Sequence, residues 1–296
     1  MLEICNWPNK DNIFSNFNYN IKILYIDSGC DIYHDELRGN ILINESISFV
    51  EGDKSLKDYT GHGTQMVSAI VGKNKVNGLY KKCKIVMYKI TNSQGITKFE
   101  WLYKALSQAI KMNYKIINIS YAGISTSQKL NKKFQRLIDE ATEANIHICC
   151  SADNNQNDKD TFIIPASLKN VYTIGSLNFQ NKISTFNKQS EVNYYAPGGD
   201  DVFRTNKIES FILLANSITS DFNIGAEMGL DKKYTLNFGN SIACSYFSCC
   251  IALILAMVNE RFHIHISKKK LDELYKKSEN INTLLNTKEI LLNGVI

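Results

Sequence analysis

Three residues stand in settings that could support nucleophilic acyl transfer. Asp27 closes an apolar run, 21–26, and is followed by Ser28-Gly29, a placement that holds a carboxylate in a dry, hydrogen-bonded site. His62 lies between Gly61 and Gly63, which allow close backbone approach, and ahead of Thr64 at a helix start. Ser241 follows Gly239-Asn240 and precedes the apolar stretch 242–258, which puts its hydroxyl at the positive end of a helix dipole. A serine hydroxyl becomes a useful nucleophile when a base takes its proton, a carboxylate orients that base and donors stabilise the oxyanion. Each residue alone has a plain structural reading: a turn-capping aspartate, a packed histidine, an ordinary N-cap serine.

The elements that must position them follow from periodicity. The runs 21–26 and 84–90 read as buried parallel strands, and 61–64 opens a helix over 65–71. Phe99, Leu102, Ala105, Leu106, Ala109 and Ile110 recur at helical spacing across 98–112. Strand 116–119, helix 128–144, strand 146–151 and strand 171–175 follow. This alternation predicts an α/β chain in three layers, a mostly parallel central sheet with helices on both faces and a site beyond the carboxyl ends of the strands. With 296 residues, 44% hydrophobic content and only 3 Pro, no segment resembles a linker, and residues 1–296 are read as one catalytic domain.

The net charge of +5 is mostly Lys, with a mild cluster at Lys268, Lys269, Lys270, Lys276 and Lys277 that reads as a solvated helix face. No focused basic face with Arg and aromatics marks a nucleic-acid binder. The run 241–258 approaches a bilayer span in length. Ser241, Cys244, Ser245 and Ser248 dilute it and Glu260-Arg261 end it, so a buried core helix is the reading, with no membrane partner. Residues 1–20 lack the apolar centre of an export signal. Among 8 Cys, Cys149-Cys150 and Cys249-Cys250 are adjacent pairs in apolar runs, which fits reduced, buried thiols and a cytoplasmic location. No spacing suggests a zinc site, and neither metal nor cofactor is expected.

The order Asp, His, Ser is that of subtilisin, and the surrounding motifs make the resemblance specific. They are Asp27-Ser28-Gly29 with His34 and Leu37 after it, Gly61-His62-Gly63-Thr64, Asn118-Ile119-Ser120-Tyr121-Ala122-Gly123, Cys150-Ser151-Ala152-Asp153-Asn154, Ile164-Pro165-Ala166, Ala196-Pro197-Gly198 and Gly239-Asn240-Ser241-Ile242-Ala243. Over most of its length the chain resembles the subtilisin-like (subtilase) serine proteases. The resemblance implies a serine endopeptidase in which Asp27, His62 and Ser241 form the triad and Asn154 joins the Ser241 N–H in the oxyanion hole. It also implies that Ser120, Tyr121, Ala122 and Gly123 pair with the substrate backbone, that Asn155 and Ile163 lie by the S1 pocket, and that the bond before Pro165 is cis.

Departures from the family pattern are Asn240 for Thr, Asp153 for Gly and Ser245 for Pro. Asp153 is expected to reshape the S1 wall or to take a left-handed backbone conformation. Segment 71–78 is short and basic where many secreted relatives bind calcium, so no tight calcium site is expected there. Only 26 residues precede Asp27, too few for a folded pro-domain, which suggests that the protein works without self-processing. The region 198–239, with Asp200, Asp201 and Glu209, is long enough for an added specificity loop. These features resemble the small intracellular subtilases that remove leader peptides from lantibiotic precursors. Acidic leaders would suit the positive charge, and a monomer is expected. The alternatives are a general intracellular turnover protease and an inactive subtilase-like peptide-binding protein. No clear carboxylate awaits a basic P1 residue unless Asp153, Asp158 or Asp160 serves, so a neutral P1 is expected.

Overall fold

Strand β1 (Lys22–Asp27) is buried at every residue after Lys22. Ile23 and Tyr25 join one apolar cluster, Leu24 and Ile26 another. Successive strand side chains face opposite ways, so this double burial means that layers cover both faces. The computed structural model describes residues 9, 12–154, 161–187, 192–201, 210–217, 220, 223–277 and 280–293.

Chain order then gives β2 (Ile47–Ser48), helix α1 (His62–Val71), β3 (Lys84–Lys89), α2 (Phe99–Lys111), β4 (Ile116–Ile119), β5 (Gly123–Ile124) and α3 (Gln128–Glu143). After these come β6 (His147–Ser151), β7 (Ile163–Ile164), β8 (Tyr172–Leu177), β9 (Tyr194–Pro197) and β10 (Ile212–Ala215). The chain continues with α4 (Ile224–Glu227), β11 (Tyr234–Asn237), α5 (Asn240–Phe262), α6 (Lys268–Lys276) and α7 (Thr283–Asn293). The central sheet has seven strands in the order β2-β3-β1-β4-β6-β8-β9, and every neighbouring pair is parallel. One face carries α2 and α3, whose Leu102, Leu106, Phe134 and Ile138 pack with Leu24 and Ile26. The other carries α1, α5, α6 and α7. The three-layer α/β expectation holds, and strand order reverses beside β1, where β3 lies on one side and β4 on the other. A crevice at such a reversal is where α/β proteins place their sites.

Helix α5 is apolar almost all round and long enough to cross a membrane, yet its first five turns are mostly buried inside the fold. It is the core helix expected of 241–258, sheathed by strands on one side and by α1 and α7 on others. Seven cysteines among the described residues are free and buried, Cys149, Cys150, Cys249 and Cys250 included.

One expectation needs correction. The region 198–239 is not simply a loop: β10 and β11 pair antiparallel and pack Phe211, Leu213, Tyr234 and Leu236 into a small core with Val76. Asp200 is fully buried and accepts hydrogen bonds from the Thr185 N–H and hydroxyl, at 2.8 and 2.7 Å, so it braces the fold. Glu209 lies outside the described residues. The basic cluster 268–277 forms a helix whose lysines face outward, Lys269, Lys276 and Lys277 exposed, as expected; its opposite face, Leu271, Leu274 and Tyr275, is buried on α5, and Lys268 pairs with Asp272.

Candidate active site

Helix α1 begins at His62 itself, three residues earlier than its apolar pattern shows. Gly61 caps it at φ 82°, a left-handed conformation natural to glycine, and a Cβ there would meet Asn216 Oδ1 at 2.4 Å. Gly63 allows a still closer approach, since a Cβ there would fall 2.1 Å from the Gly29 carbonyl. These two glycines bring the end of β1 against the first turn of α1.

The result is a hydrogen bond of 2.7 Å between His62 Nδ1 and Asp27 Oδ1. Asp27 is buried, and the same oxygen accepts the Ser28 N–H at 2.6 Å. Its Oδ2 is buried without a hydrogen-bond partner in the structure. The His62 ring is 35% exposed. Burial pushes its pKa down, but the charge and hydrogen bond of Asp27, with a smaller contribution from Asp58, outweigh this and raise it above the ordinary 6.5.

Ser120, just beyond β4, links this pair to the start of α5. Its hydroxyl donates to Asn118 Oδ1 at 2.9 Å and lies 3.3 Å from the Ser241 carbonyl. Asn118 in turn donates from Nδ2 to Ser248 Oγ at 3.0 Å, tying β4 to α5. Ser241 is the second residue of α5, half-buried, and its carbonyl also accepts the Ser245 hydroxyl at 3.2 Å. Ser245 thus makes a bond that the family's proline could not.

Asn154, exposed just after β6, accepts the Asn240 N–H on Oδ1 at 3.0 Å. The Asn240 side chain reaches back, donating to the carbonyls of Ala152 (3.3 Å) and Asp153 (3.2 Å). Asp153 is buried and does not adopt the left-handed conformation considered for it.

Asp27, His62, Thr91, Ile96, Ser120 and Tyr121 line a cleft of about 490 Å³. A larger cavity of about 790 Å³ opens beside Cys30, Tyr33 and Lys54 and contains neither His62 nor Ser241. The segment 118–123 is less regular than one strand: β4 stops at Ile119, Gly123 pairs with Ile164, and Ala122 is exposed between them. Ile163 is 1% exposed in the core on the α2–α3 face, its N–H held by Ser167 Oγ at 3.0 Å. The Ile164-Pro165 bond is cis, as expected. Asn155, Asp158 and Asp160 lie outside the described residues. His34 is buried; its Nδ1 accepts the Glu36 N–H and its Nε2 contacts the Lys233 carbonyl, which makes it a backbone clasp. Among the described residues no cluster of His, Cys, Asp or Glu could hold a metal ion.

Two carboxylates that the motifs do not single out prove central. Asp58, four residues before His62, is fully buried and collects hydrogen bonds from both sides of the histidine. Glu36, also fully buried, collects the backbone N–H groups of 73–76. The turn-forming Thr60-Gly61 after Asp58 was a usable signal for the first; only the fold reveals the second.

Comparison with known proteins agrees with this fold. The solved structure of a lanthipeptide protease superposes with a TM-score of 0.82 at 22% identity, covering 97% of this chain and 94% of that one. The nisin leader peptidase NisP of Lactococcus lactis gives 0.78 at 16% identity, covering 97% and 93%. In sequence, an intracellular serine protease of Paenibacillus polymyxa is 26% identical over 260 residues, 85% of this chain and 71% of that protein. The major intracellular serine protease of Bacillus subtilis is 24% identical over the same share of this chain and 73% of its own length. Because the model of the subtilase family matches residues 18–288, nearly the whole chain, this protein belongs to the subtilase family and is a subtilisin-like serine endopeptidase.

Proposed function

We propose that Asp27, His62 and Ser241 form the catalytic triad, and the observation that carries this is the 2.7 Å bond from His62 Nδ1 to Asp27. It fixes the imidazole so that Nε2 is left to take the Ser241 proton. Ser241 Oγ then bonds to the scissile carbonyl carbon, whose oxygen becomes the oxyanion. Asn154 Nδ2 and the Ser241 N–H donate to it. Collapse breaks the C–N bond, His62 returns the proton to the leaving amine, and water repeats the sequence to release the acid and regenerate Ser241. Ser120 and Tyr121 line the cleft; with Ala122 and Gly123 they would pair with the acyl-side residues of the substrate, and Asn155 and Ile163 would lie by the S1 pocket.

The substrate we propose is the leader segment of a lanthipeptide precursor. Support comes from the likeness to the lanthipeptide protease and to NisP over nearly the full length of each. A net charge of +5 suits an acidic leader. A cytoplasmic location is in keeping with the buried free thiols and with the relatives named intracellular.

A fluorophosphonate probe on wild type and Ser241→Ala, with the adduct located by peptide mapping, tests the triad. Label on Ser241 that vanishes in the variant is the expected result; none on folded wild-type protein would favour an inactive peptide-binding role. Digestion of acidic-leader precursors beside casein tests the substrate. A single cut at the leader boundary supports the proposal, and indiscriminate casein cleavage would point to general turnover.

A further inference from the structure

Asp58 lies at the head of the turn that delivers His62. Its Oδ1 accepts the Ser28 hydroxyl at 2.9 Å, the Gly61 N–H at 2.9 Å and the Thr60 N–H at 3.2 Å. Its Oδ2 accepts the Thr64 N–H at 2.9 Å and the Thr64 hydroxyl at 2.7 Å. Ser28 Oγ, while donating to Asp58, accepts the Gly63 N–H at 2.9 Å. One carboxylate therefore grips the residue after Asp27, the residue before His62 and, through Ser28, the residue after it. From outside, the Ser217 hydroxyl donates to the Asp58 carbonyl at 2.7 Å and Ser220 to the Thr60 carbonyl at 2.8 Å.

We infer that Asp58 is a positioning residue for His62, setting the distance between the general base and Asp27 and adding a second negative charge behind the imidazole. This rests on the triad reading above. A buried ion is costly unless its bonds are many and well aimed, and a neutral amide could not accept on both of its polar atoms. The need for an anion becomes intelligible once His62 carries positive charge in the transition state. Asp27 and Asp58 are the carboxylates that act on His62. Cys30, beyond Asp58, has its thiol pushed well up, first by burial and then by Asp58.

The test compares wild type, Asp58→Asn and Ser28→Ala for the rate of fluorophosphonate labelling against pH, and follows the His62 ring titration by NMR. Asp58→Asn is expected to lower the plateau rate on the order of 10- to 100-fold, as for a displaced catalytic group, and to move both midpoints to lower pH. Ser28→Ala keeps the charge and is expected to slow labelling several-fold (roughly, by the same principle) with the midpoint nearly unmoved. Asp58→Asn with unaltered rate and midpoints would overturn the inference. Should that variant not fold, a Ser28→Ala rate equal to wild type would overturn it instead. Absence of wild-type labelling would count against the triad alone, because the His62 titration reads the Asp58 effect without Ser241.

Discussion

Asn240 and Asn154 tie the start of α5 to the end of β6. The Asn240 N–H occupies Asn154 Oδ1 at 3.0 Å, so the Asn154 amide has one orientation and its Nδ2 is the atom left to donate. A Cβ on Gly239 would stand 3.3 Å from that Nδ2. Where the family usually has Thr, Asn240 also anchors the carbonyls of Ala152 and Asp153, so the substitution tightens the segment that carries Asn154. Asn154→Ala is expected to lower kcat with little change in KM. The loss corresponds to about 2.7–4 kcal/mol, the range known for the equivalent donor in subtilisin itself. Steady-state kinetics on a peptide substrate check this, and an unchanged kcat would remove Asn154 from the oxyanion hole.

Loop 71–78 should need no calcium. Glu36 accepts the N–H groups of Lys73 (2.6 Å), Asn74 (2.7 Å), Lys75 (2.8 Å) and Val76 (3.3 Å), and the Tyr234 hydroxyl at 3.1 Å. A cation needs oxygens turned inward; here the loop turns N–H groups inward onto an anion. Glu36→Gln is expected to cost about 2–4 kcal/mol by leaving buried donors poorly matched. Calcium and chelators should leave the melting temperature of wild type unmoved. A chelator-sensitive melting curve, or a Glu36→Gln variant as stable as wild type, would contradict this account.

The sheet, its flanking helices and the order of the motifs were legible because they rest on local periodicity, as in the both-face burial of 23–26. Glu36 was not, and Asp58 only through the Thr60-Gly61 turn after it, because their meaning lies in the donors that converge on them: the Thr64 N–H and the Ser28 hydroxyl on Asp58, and the N–H groups of the distant residues 73–76 on Glu36. The β10–β11 hairpin was hidden for a related reason. Its strands are four residues each and pair across a long connection, so no tight turn announces them. Helices α6 and α7 are polar on one side; Ser267 caps α6, and the inner faces of both pack in the apolar cluster that contains α5.

The raised pKa of His62 predicts the acid limb of activity. Imidazole must be neutral to accept the Ser241 proton, so kcat/KM should climb as pH rises through a midpoint above 6.5. Asp27→Asn removes the main raising influence. The midpoint should fall, and the rate should drop about 10⁴-fold as the tautomer is lost. A wild-type midpoint below 6.5, or one indifferent to Asp27→Asn, would show that His62 is not the group titrating.

His147 predicts a separate weakness in acid, at the opposite end of the sheet. The ring is buried; Nδ1 is 3.1 Å from the Tyr172 hydroxyl and the Ile266 carbonyl takes the other N–H. Burial first, then the nearby Lys268 and Lys115, push its pKa from 6.5 down to about 4, against the pull of Ile266 and Asp272. The folded protein thus binds this proton more weakly than the unfolded chain. Its contribution to stability is complete above pH 6.5 and is lost as pH falls toward 4. The full shift amounts to about 3 kcal/mol. Denaturant melts of wild type between pH 7 and 4 should show that loss, and His147→Gln, which can keep both hydrogen bonds without titrating, should flatten the slope. Parallel pH slopes for the two proteins would mean that His147 is already charged in the fold or that other groups govern acid unfolding.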